Sequence, residues 1–146
     1  MSAGRAFFDT NVLLYTRSTA DPRKRARALE LFDEYAGSGR IVLSTQVIQE
    51  FYAAGSRKLS LPRNELQQAS AALMDLPLIR IDTVHIREAM RGEDLYRISF
   101  WDALILAAAE DGGAEVLFTE DLNHGQRYGS VRVENPFIPN SGSGSV

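Results

Sequence analysis

Four acidic residues at separate places in the chain are the side chains whose type and position could support catalysis. They are Asp9, Glu50, Asp102 and Asp121. The chain contains no cysteine, which excludes thiolate zinc sites, cysteine nucleophiles and disulfide frameworks. Carboxylate oxygens are hard ligands that favour Mg²⁺ or Mn²⁺ over Zn²⁺. If the four acids meet, they predict hydrolysis of a phosphodiester by a water molecule that a metal ion activates.

The elements that would hold these acids alternate between short apolar runs and longer segments of helical period. Strands are predicted over residues 5–9, 40–44, 78–82, 115–119 and 130–134. Helices are predicted over residues 21–35, 45–58, 62–74, 83–96 and 99–110. Because parallel strands need crossover connections, this order predicts a three-layer α/β/α sandwich with a central, mostly parallel sheet of four to five strands.

In such a sheet the four acids should lie at the same edge. Asp9 ends the first strand, and Asp121 follows the fourth strand closely. Glu50 lies in the second turn of one helix and Asp102 in the first turn of another. Right-handed crossovers place helix starts and strand ends together at the carboxyl edge. Two carboxylates about 4 Å apart repel by roughly 4 kcal/mol at an effective dielectric constant near 20, and a bound cation would remove that repulsion.

Each acid also has an ordinary structural interpretation. Asp9 could cap a short helix over residues 12–17. Asp102 completes a capping-box pattern that begins at Ser99. The segment 103–109 is apolar on all sides, however, so it is predicted to be buried and to place Asp102 at the mouth of the core. The other two acids, taken singly, are typical of solvated side chains, so the prediction of a metal site depends on all four together.

Length and charge set the class of protein. A chain of 146 residues is predicted to form one domain over residues 1–139, followed by a flexible tail over 140–146. No apolar run is long enough for a signal peptide or a membrane span, so a cytoplasmic location is expected. The net charge of −3 becomes +1 when the four acids are set aside, and the 16 basic residues permit binding of RNA without indicating it.

The other polar residues carry weaker predictions. The densest positive run is Arg23-Lys24-Arg25-Ala-Arg27, which is typical of a solvated helical face and could hold an RNA backbone only if it borders the groove. His85 lies in a predicted helix and is expected at the surface or in the core. His124 follows Asp121 closely, and contact with substrate is the less favoured interpretation of it. The two histidines form no recognisable pair or triad.

Four segments of the chain together resemble the PIN domain, and specifically the VapC-type toxins of bacterial toxin–antitoxin pairs. The resemblance runs from Phe8 to about Phe137. The segments that carry it are Phe8-Asp9-Thr-Asn11-Val-Leu-Leu-Tyr15, Ser44-Thr-Gln-Val-Ile-Gln-Glu50-Phe-Tyr52, Ser99-Phe-Trp-Asp102-Ala-Leu-Ile and Phe118-Thr119-Glu120-Asp121. Each motif alone is weak, whereas four in this order and at this spacing form a specific signal.

This resemblance implies an activity and a set of site residues. The four acids would bind Mg²⁺ or Mn²⁺, Asn11 would orient the site, and Thr119 would belong to it with Asp121. The implied reaction is endonucleolytic cleavage of RNA by a metal-activated water. The implied partners are the RNA substrate, a second copy of the chain in a homodimer, and a cognate VapB-like antitoxin whose basic segment occupies the acidic groove.

Two alternatives remain open at this point. The first is a PIN nuclease that works in RNA processing or on DNA, outside toxin–antitoxin systems. The second is a non-enzymatic Mg²⁺-binding signalling domain such as a phosphoacceptor receiver, which also has Asp residues at strand ends. Receivers normally carry a lysine late in the chain, and the only lysines here are Lys24 and Lys58.

Overall fold

The computed structural model describes residues 4–139, which form a six-stranded sheet surrounded by six helices. The strands are β1 (Arg5–Phe8), β2 (Ile41–Ser44), β3 (Leu78–Ile79), β4 (Ala114–Phe118), β5 (Arg127–Tyr128) and β6 (Val131–Glu134). The helices are α1 (Thr10–Tyr15), α2 (Pro22–Gly37), α3 (Thr45–Lys58), α4 (Arg63–Met74), α5 (Thr83–Tyr96) and α6 (Phe100–Asp111). The tail predicted over residues 140–146 lies outside the described residues.

The sheet has the strand order β3-β2-β1-β4-β6-β5 and is parallel except at β5. Strand β1 lies between β2 and β4, with Phe7 opposite both Val42 and Leu117. Helix α6 packs against β2, β4 and α5, whereas α1 packs against α2 and α3. The predicted α/β/α sandwich with a mostly parallel sheet is confirmed.

The strand count of four to five was wrong by one strand, and one predicted strand is shorter than expected. The added strand, β5, contains only two residues, which is too short to show a period of two in sequence. It pairs antiparallel with β6 across a two-residue loop whose first residue, Gly129, has a φ of 61°. Strand β3 ends at Ile79, opposite Ser44, where its neighbour β2 ends and passes into α3; Asp82, predicted as the last residue of β3, instead caps α5.

The apolar runs of β1, β2 and β4 form the centre of the core. Phe7, Phe8 and Leu117 are fully buried or nearly so. The Phe8 ring meets Phe118 edge-on with centroids 5.3 Å apart, and it meets Phe32 of α2 at 6.3 Å. These contacts fix the carboxyl ends of β1 and β4 side by side, since Phe8 and Phe118 are direct neighbours in the sheet.

Polar side chains begin the helices that follow the strands. Ser44 ends β2 and accepts a hydrogen bond from Val47 N at 3.3 Å, so β2 passes directly into α3. Ser99 accepts from Asp102 N at 3.0 Å at the start of α6. Both helices therefore begin at the carboxyl edge of the sheet, as predicted. Within residues 4–139, no helix has the length and hydrophobicity needed to cross a membrane.

Candidate functional site

Asp9 is the buried centre of the carboxyl edge, with 7% of its surface exposed. It follows β1 and is the N-cap of α1. Its Oδ1 accepts from Thr10 N at 2.7 Å, and its Oδ2 accepts from the Thr119 hydroxyl at 2.7 Å. Asp9 is therefore a helix cap, as the ordinary interpretation expects, and also a carboxylate held in one orientation at the end of a central strand.

Thr119 connects the first acid to the last. It is 1% exposed and directly follows β4, just as Asp9 directly follows the neighbouring β1. Its hydroxyl donates to Asp9 and accepts from the backbone N of Asp121 at 3.0 Å. Thr119 therefore fixes the turn that carries Asp121. The side chain of Asp121 is itself exposed.

Glu50 is held from both sides by hydrogen bonds. The Thr10 hydroxyl donates to Oε1 at 2.8 Å, and Gln46 Nε2 donates to Oε2 at 3.2 Å. The same Gln46 nitrogen donates to the backbone oxygen of Trp101 at 3.3 Å, one residue before Asp102. A continuous set of hydrogen bonds thus runs from the turn after β4, through β1, α1 and α3, to the start of α6.

Thr10 and Gln46 were missed by the sequence analysis. Thr10 stands between two residues that the first motif singled out, so its position was available as a signal. Gln46 lies four residues before Glu50, which places both on the same face of α3. Its second contact, with the backbone of α6, depends on tertiary packing that no local pattern indicates.

The charges of Glu50 and Asp121 act on both Asp9 and Asp102. Burial raises the pKa of Asp9 to about 7, against the lowering effect of the hydrogen bonds from Thr119 and Thr10; the charges of Asp121 and Glu50 raise it further. Burial likewise raises the pKa of the half-buried Asp102, with the same two neighbouring charges as smaller causes. The four acids thus lie on the same edge of the sheet, and their joint binding of a metal ion stays a prediction.

The residues at this edge fit a divalent ion that keeps several of its waters better than an ion whose ligands are all protein atoms. Within residues 4–139, no three acidic or histidine side chains form a preformed metal cage. The donors present are all oxygens, and the buried Oε1 of Gln46 has no hydrogen-bond partner among the described residues. Mg²⁺ commonly binds through one or two carboxylates and keeps several waters. The donor set and the crowding of like charges match that chemistry.

Asn11 and the histidines lie apart from the hydrogen bonds between the acids. Asn11 Oδ1 accepts from Lys58 Nζ at 3.5 Å, and among the described residues no hydrogen bond joins it to the four acids. Its orienting role stays a prediction. His124 is exposed and accepts from Asn135 N, while His85 is buried and bridges the start of α5 to Asp111 through Nε2 at 2.8 Å.

One residue of the basic run reaches the site edge. Lys24 Nζ lies 2.5 Å from Glu120 Oε2, and the Tyr15 hydroxyl donates to Glu120 Oε1 at 2.9 Å. Glu120 precedes Asp121, so α2 is tied to the turn that carries the last acid. Arg23 and Arg25 on the same helix are exposed. The run is therefore a partly solvated face that borders the edge.

Comparison with known proteins gives one family match and several similar folds. The family model described as the PIN domain matches residues 6–129. No curated protein sequence matches the chain.

Three of the similar solved structures illustrate the likeness of fold. VapC20 of Mycobacterium tuberculosis, described as a sarcin–ricin loop cleaving toxin, is 21% identical with a TM-score of 0.62, over 80% of this chain and 91% of that one. A toxin–antitoxin complex from Klebsiella pneumoniae is 20% identical with a TM-score of 0.68, over 90% and 98%. DNA-bound VapBC from Salmonella typhimurium is 18% identical with a TM-score of 0.62, over 89% and 96%.

Proposed function

Since the chain belongs to the PIN-domain family, we propose that it is a divalent-metal-dependent endoribonuclease and the toxin of a toxin–antitoxin pair. The observation that supports the proposal is the hydrogen-bonded edge that holds the Asp9 and Glu50 carboxylates, with Asp121 and Asp102 on the adjoining turn and helix start. Nothing in that edge requires a covalent nucleophile, and acids of this kind serve to hold a cation and its waters.

The part of the chain's own residues in the reaction is positioning. Thr10 and Thr119 fix the Asp9 carboxylate, and Thr10 with Gln46 fixes that of Glu50. These groups need no rearrangement when the reaction begins, which is how prepared sites lower a barrier. A bound Mg²⁺ or Mn²⁺ would supply a water of lowered pKa and positive charge beside a phosphate oxygen. Asp9 has to lose its proton before its carboxylate can bind a cation.

RNA is the substrate class that best fits the edge together with the family. The exposed Lys58 at the end of α3 donates to Asn11, two residues after Asp9, and is the basic side chain we propose to contact a phosphate backbone beside the acids. The Mycobacterium tuberculosis protein of similar fold is described as cleaving the sarcin–ricin loop. We propose RNA cleavage for this chain without assigning the RNA that is cut.

The partners we propose are an antitoxin and a second copy of the chain. Several proteins of similar fold were solved as toxin–antitoxin complexes, some with DNA. An apolar groove lined by Leu13, Phe32, Leu73 and Leu76 could take an amphipathic antitoxin helix. A basic antitoxin segment would complement the clustered carboxylates electrostatically.

The direct test is cleavage of total RNA by the purified protein with Mg²⁺, Mn²⁺ or EDTA. We expect cleavage only with metal, and loss of most of it in Asp9→Asn, Glu50→Gln, Asp102→Asn and Asp121→Asn, each still folded. Asp94→Asn, at an exposed position on α5, is the matched control and should cleave normally. Full activity in Asp9→Asn or Asp102→Asn would show that the site is not the one proposed.

Growth on overexpression separates the toxin from the other nuclease roles. Expression without an antitoxin should arrest growth, and the Asp102→Asn variant should not. If overexpression is harmless while the purified protein cuts RNA, the toxin assignment fails and the alternative of a processing nuclease is favoured.

A further inference from the structure

Gln46 has a buried polar side chain, and the proposed function accounts for its amide nitrogen but not for its amide oxygen. It is the second residue of α3 and is 5% exposed. Its Nε2 makes both of its hydrogen bonds, to Glu50 Oε2 at 3.2 Å and to Trp101 O at 3.3 Å. Its Oε1 is buried and has no hydrogen-bond partner within residues 4–139.

The orientation of this amide follows from its partners. A carboxylate and a backbone carbonyl can only accept, so the NH₂ end must face them and the carbonyl oxygen is the unpaired end. A buried acceptor without a partner loses the hydrogen bonds that water gave it, and native proteins rarely tolerate that loss. Because the two ends belong to one amide, the unpaired oxygen lies beside the same carboxylate that the nitrogen holds.

A purely structural role, in which Gln46 links α3 to α6, explains only the amide nitrogen. The Nε2 hydrogen bonds would stabilise such a link, but burial of Oε1 without a partner would cost stability. An acceptor in that place is useful where a water molecule or a cation is present. The neighbouring Glu50 is one of the four acids proposed to bind metal, and the waters that Mg²⁺ or Mn²⁺ retains are strong hydrogen-bond donors.

We propose that Gln46 is a positioning residue of the metal site, a role that rests on the function proposed above. Its Nε2 orients the Glu50 carboxylate and ties it to the start of α6, where Asp102 lies. Its Oε1 accepts a hydrogen bond from a water that the divalent ion holds. Partners of this kind around a metal typically change its affinity 10- to 100-fold.

The test is a direct titration of Mn²⁺ into the full chain by calorimetry, with melting in EDTA as a separate readout. Gln46→Met keeps the length of the side chain and removes both the donor and the acceptor. Gln49→Met, at an exposed position of the same helix, is the matched control. We expect the Mn²⁺ Kd to rise about 10-fold or more in Gln46→Met and to stay unchanged in the control. A Kd within about twofold of wild type would overturn the proposal, whatever the change in melting temperature.

Gln46→Glu gives a second, independent test should the methionine variant fail to fold. It keeps the shape and the acceptor but places another carboxylate beside Glu50, so it should melt lower than wild type in EDTA and gain more on addition of Mn²⁺. If Mn²⁺ raises the melting temperatures of Gln46→Glu and wild type by the same amount, Gln46 has no role at the metal site. If wild type itself neither binds Mn²⁺ nor cuts RNA, the proposed function fails; if it does both and Gln46→Met matches it, only the inference about Gln46 fails.

Discussion

The pKa of Asp9 links the stability of the fold to the binding of a cation. In the folded chain burial raises this pKa to about 7, whereas the ordinary value is 3.8. Between those pH values the folded chain holds a proton that the unfolded chain has lost. The free energy of unfolding without metal should therefore fall as the pH rises from about 4 to about 7, and stay low above that.

Asp9→Asn should remove this pH dependence and stabilise the metal-free protein. Asparagine caps a helix as well as aspartate does, so the substitution keeps the start of α1 and removes the charge. At about 1.4 kcal/mol per pKa unit, we expect a gain on the order of 4 kcal/mol at pH 8 in EDTA as an upper bound. Differential scanning fluorimetry from pH 5 to pH 8 measures it. The variant should also gain less than wild type when Mn²⁺ is added, because a charged ligand is gone.

Asp9→Ala is the control, since it removes both the charge and the cap. If Asp9→Asn melts well below wild type in EDTA at pH 8, the hydrogen bond that the second Asp9 oxygen accepts from Thr119 outweighs the charge, and crowding of the acids is not what limits the stability of the fold. Loss of the helix cap would appear instead as a lower melting temperature in Asp9→Ala than in Asp9→Asn.

Substitutions of Thr119 test whether its hydrogen bond to Asp9 contributes to activity. Thr119→Val keeps the shape and removes the hydroxyl that lowers the pKa of Asp9. We expect a loss of about 1–3 kcal/mol in stability from the unpaired groups. We also expect the pH at which RNA cleavage reaches half its maximum to shift upward, since Asp9 would release its proton less readily. Thr119→Ser keeps the hydroxyl and should retain the wild-type pH profile; equal profiles for all three proteins would contradict this role.

At the level of elements, the sequence predicted those parts of the fold that local patterns determine. Capping residues and apolar period placed the starts of α3 and α6, and hence Glu50 and Asp102, because both signals act within one turn of helix. Strand β5 was missed because two residues carry no period, and β3 was too long because Asp82 reads equally as a strand end or a cap. Gln46 was missed because its partners come from two different elements.

The contact between Lys24 of α2 and Glu120 in the turn after β4 also could not be predicted from the sequence. Lys24 was predicted to lie on a solvated face, but it is paired with Glu120 and lies 4.8 Å from the centre of the Tyr15 ring. The pair is only partly buried, so its contribution to stability should be below about 1 kcal/mol. Its larger effect is on charge, because it neutralises an acid next to Asp121.

Lys24→Met should therefore weaken RNA binding more than it lowers stability. Freed from its partner, Glu120 would repel the phosphate backbone beside the site, so KM should rise severalfold, and more at low salt than at high salt. Arg23→Met removes an exposed charge from the same helix and serves as the control. Steady-state cleavage of a short RNA at two salt concentrations gives the comparison. A KM equal to that of Arg23→Met at both concentrations would mean that the Lys24–Glu120 pair has no part in substrate binding.

At the level of the whole molecule, the surface of α5 is the observation that favours the proposed homodimer. This helix exposes four apolar side chains: Val84, Ile86, Met90 and Leu95. Leu95 is 71% exposed and Met90 is 50% exposed. Trp101, at the start of the neighbouring α6, is 62% exposed. At 100° per residue, Ile86 and Met90 share one side of α5, whereas Val84 and Leu95 share another. Exposed apolar side chains on both sides make α5 a candidate interface, and Met90 and Leu95 test one side each.

We expect the purified chain to be a dimer in solution and the double variant Met90→Glu with Leu95→Glu to be a monomer. The added charges would have to be buried without partners in a dimer, which costs several kcal/mol, whereas they are solvated in the monomer. Both positions are exposed, so the fold of the monomer should be unaffected and far-UV circular dichroism should match wild type.

Asp94→Lys, between the two positions and already polar, controls for a change of charge on α5. Analytical ultracentrifugation at micromolar concentration decides the matter: a monomeric wild type, or a double variant that still sediments as a dimer, would show that α5 is not the interface between subunits.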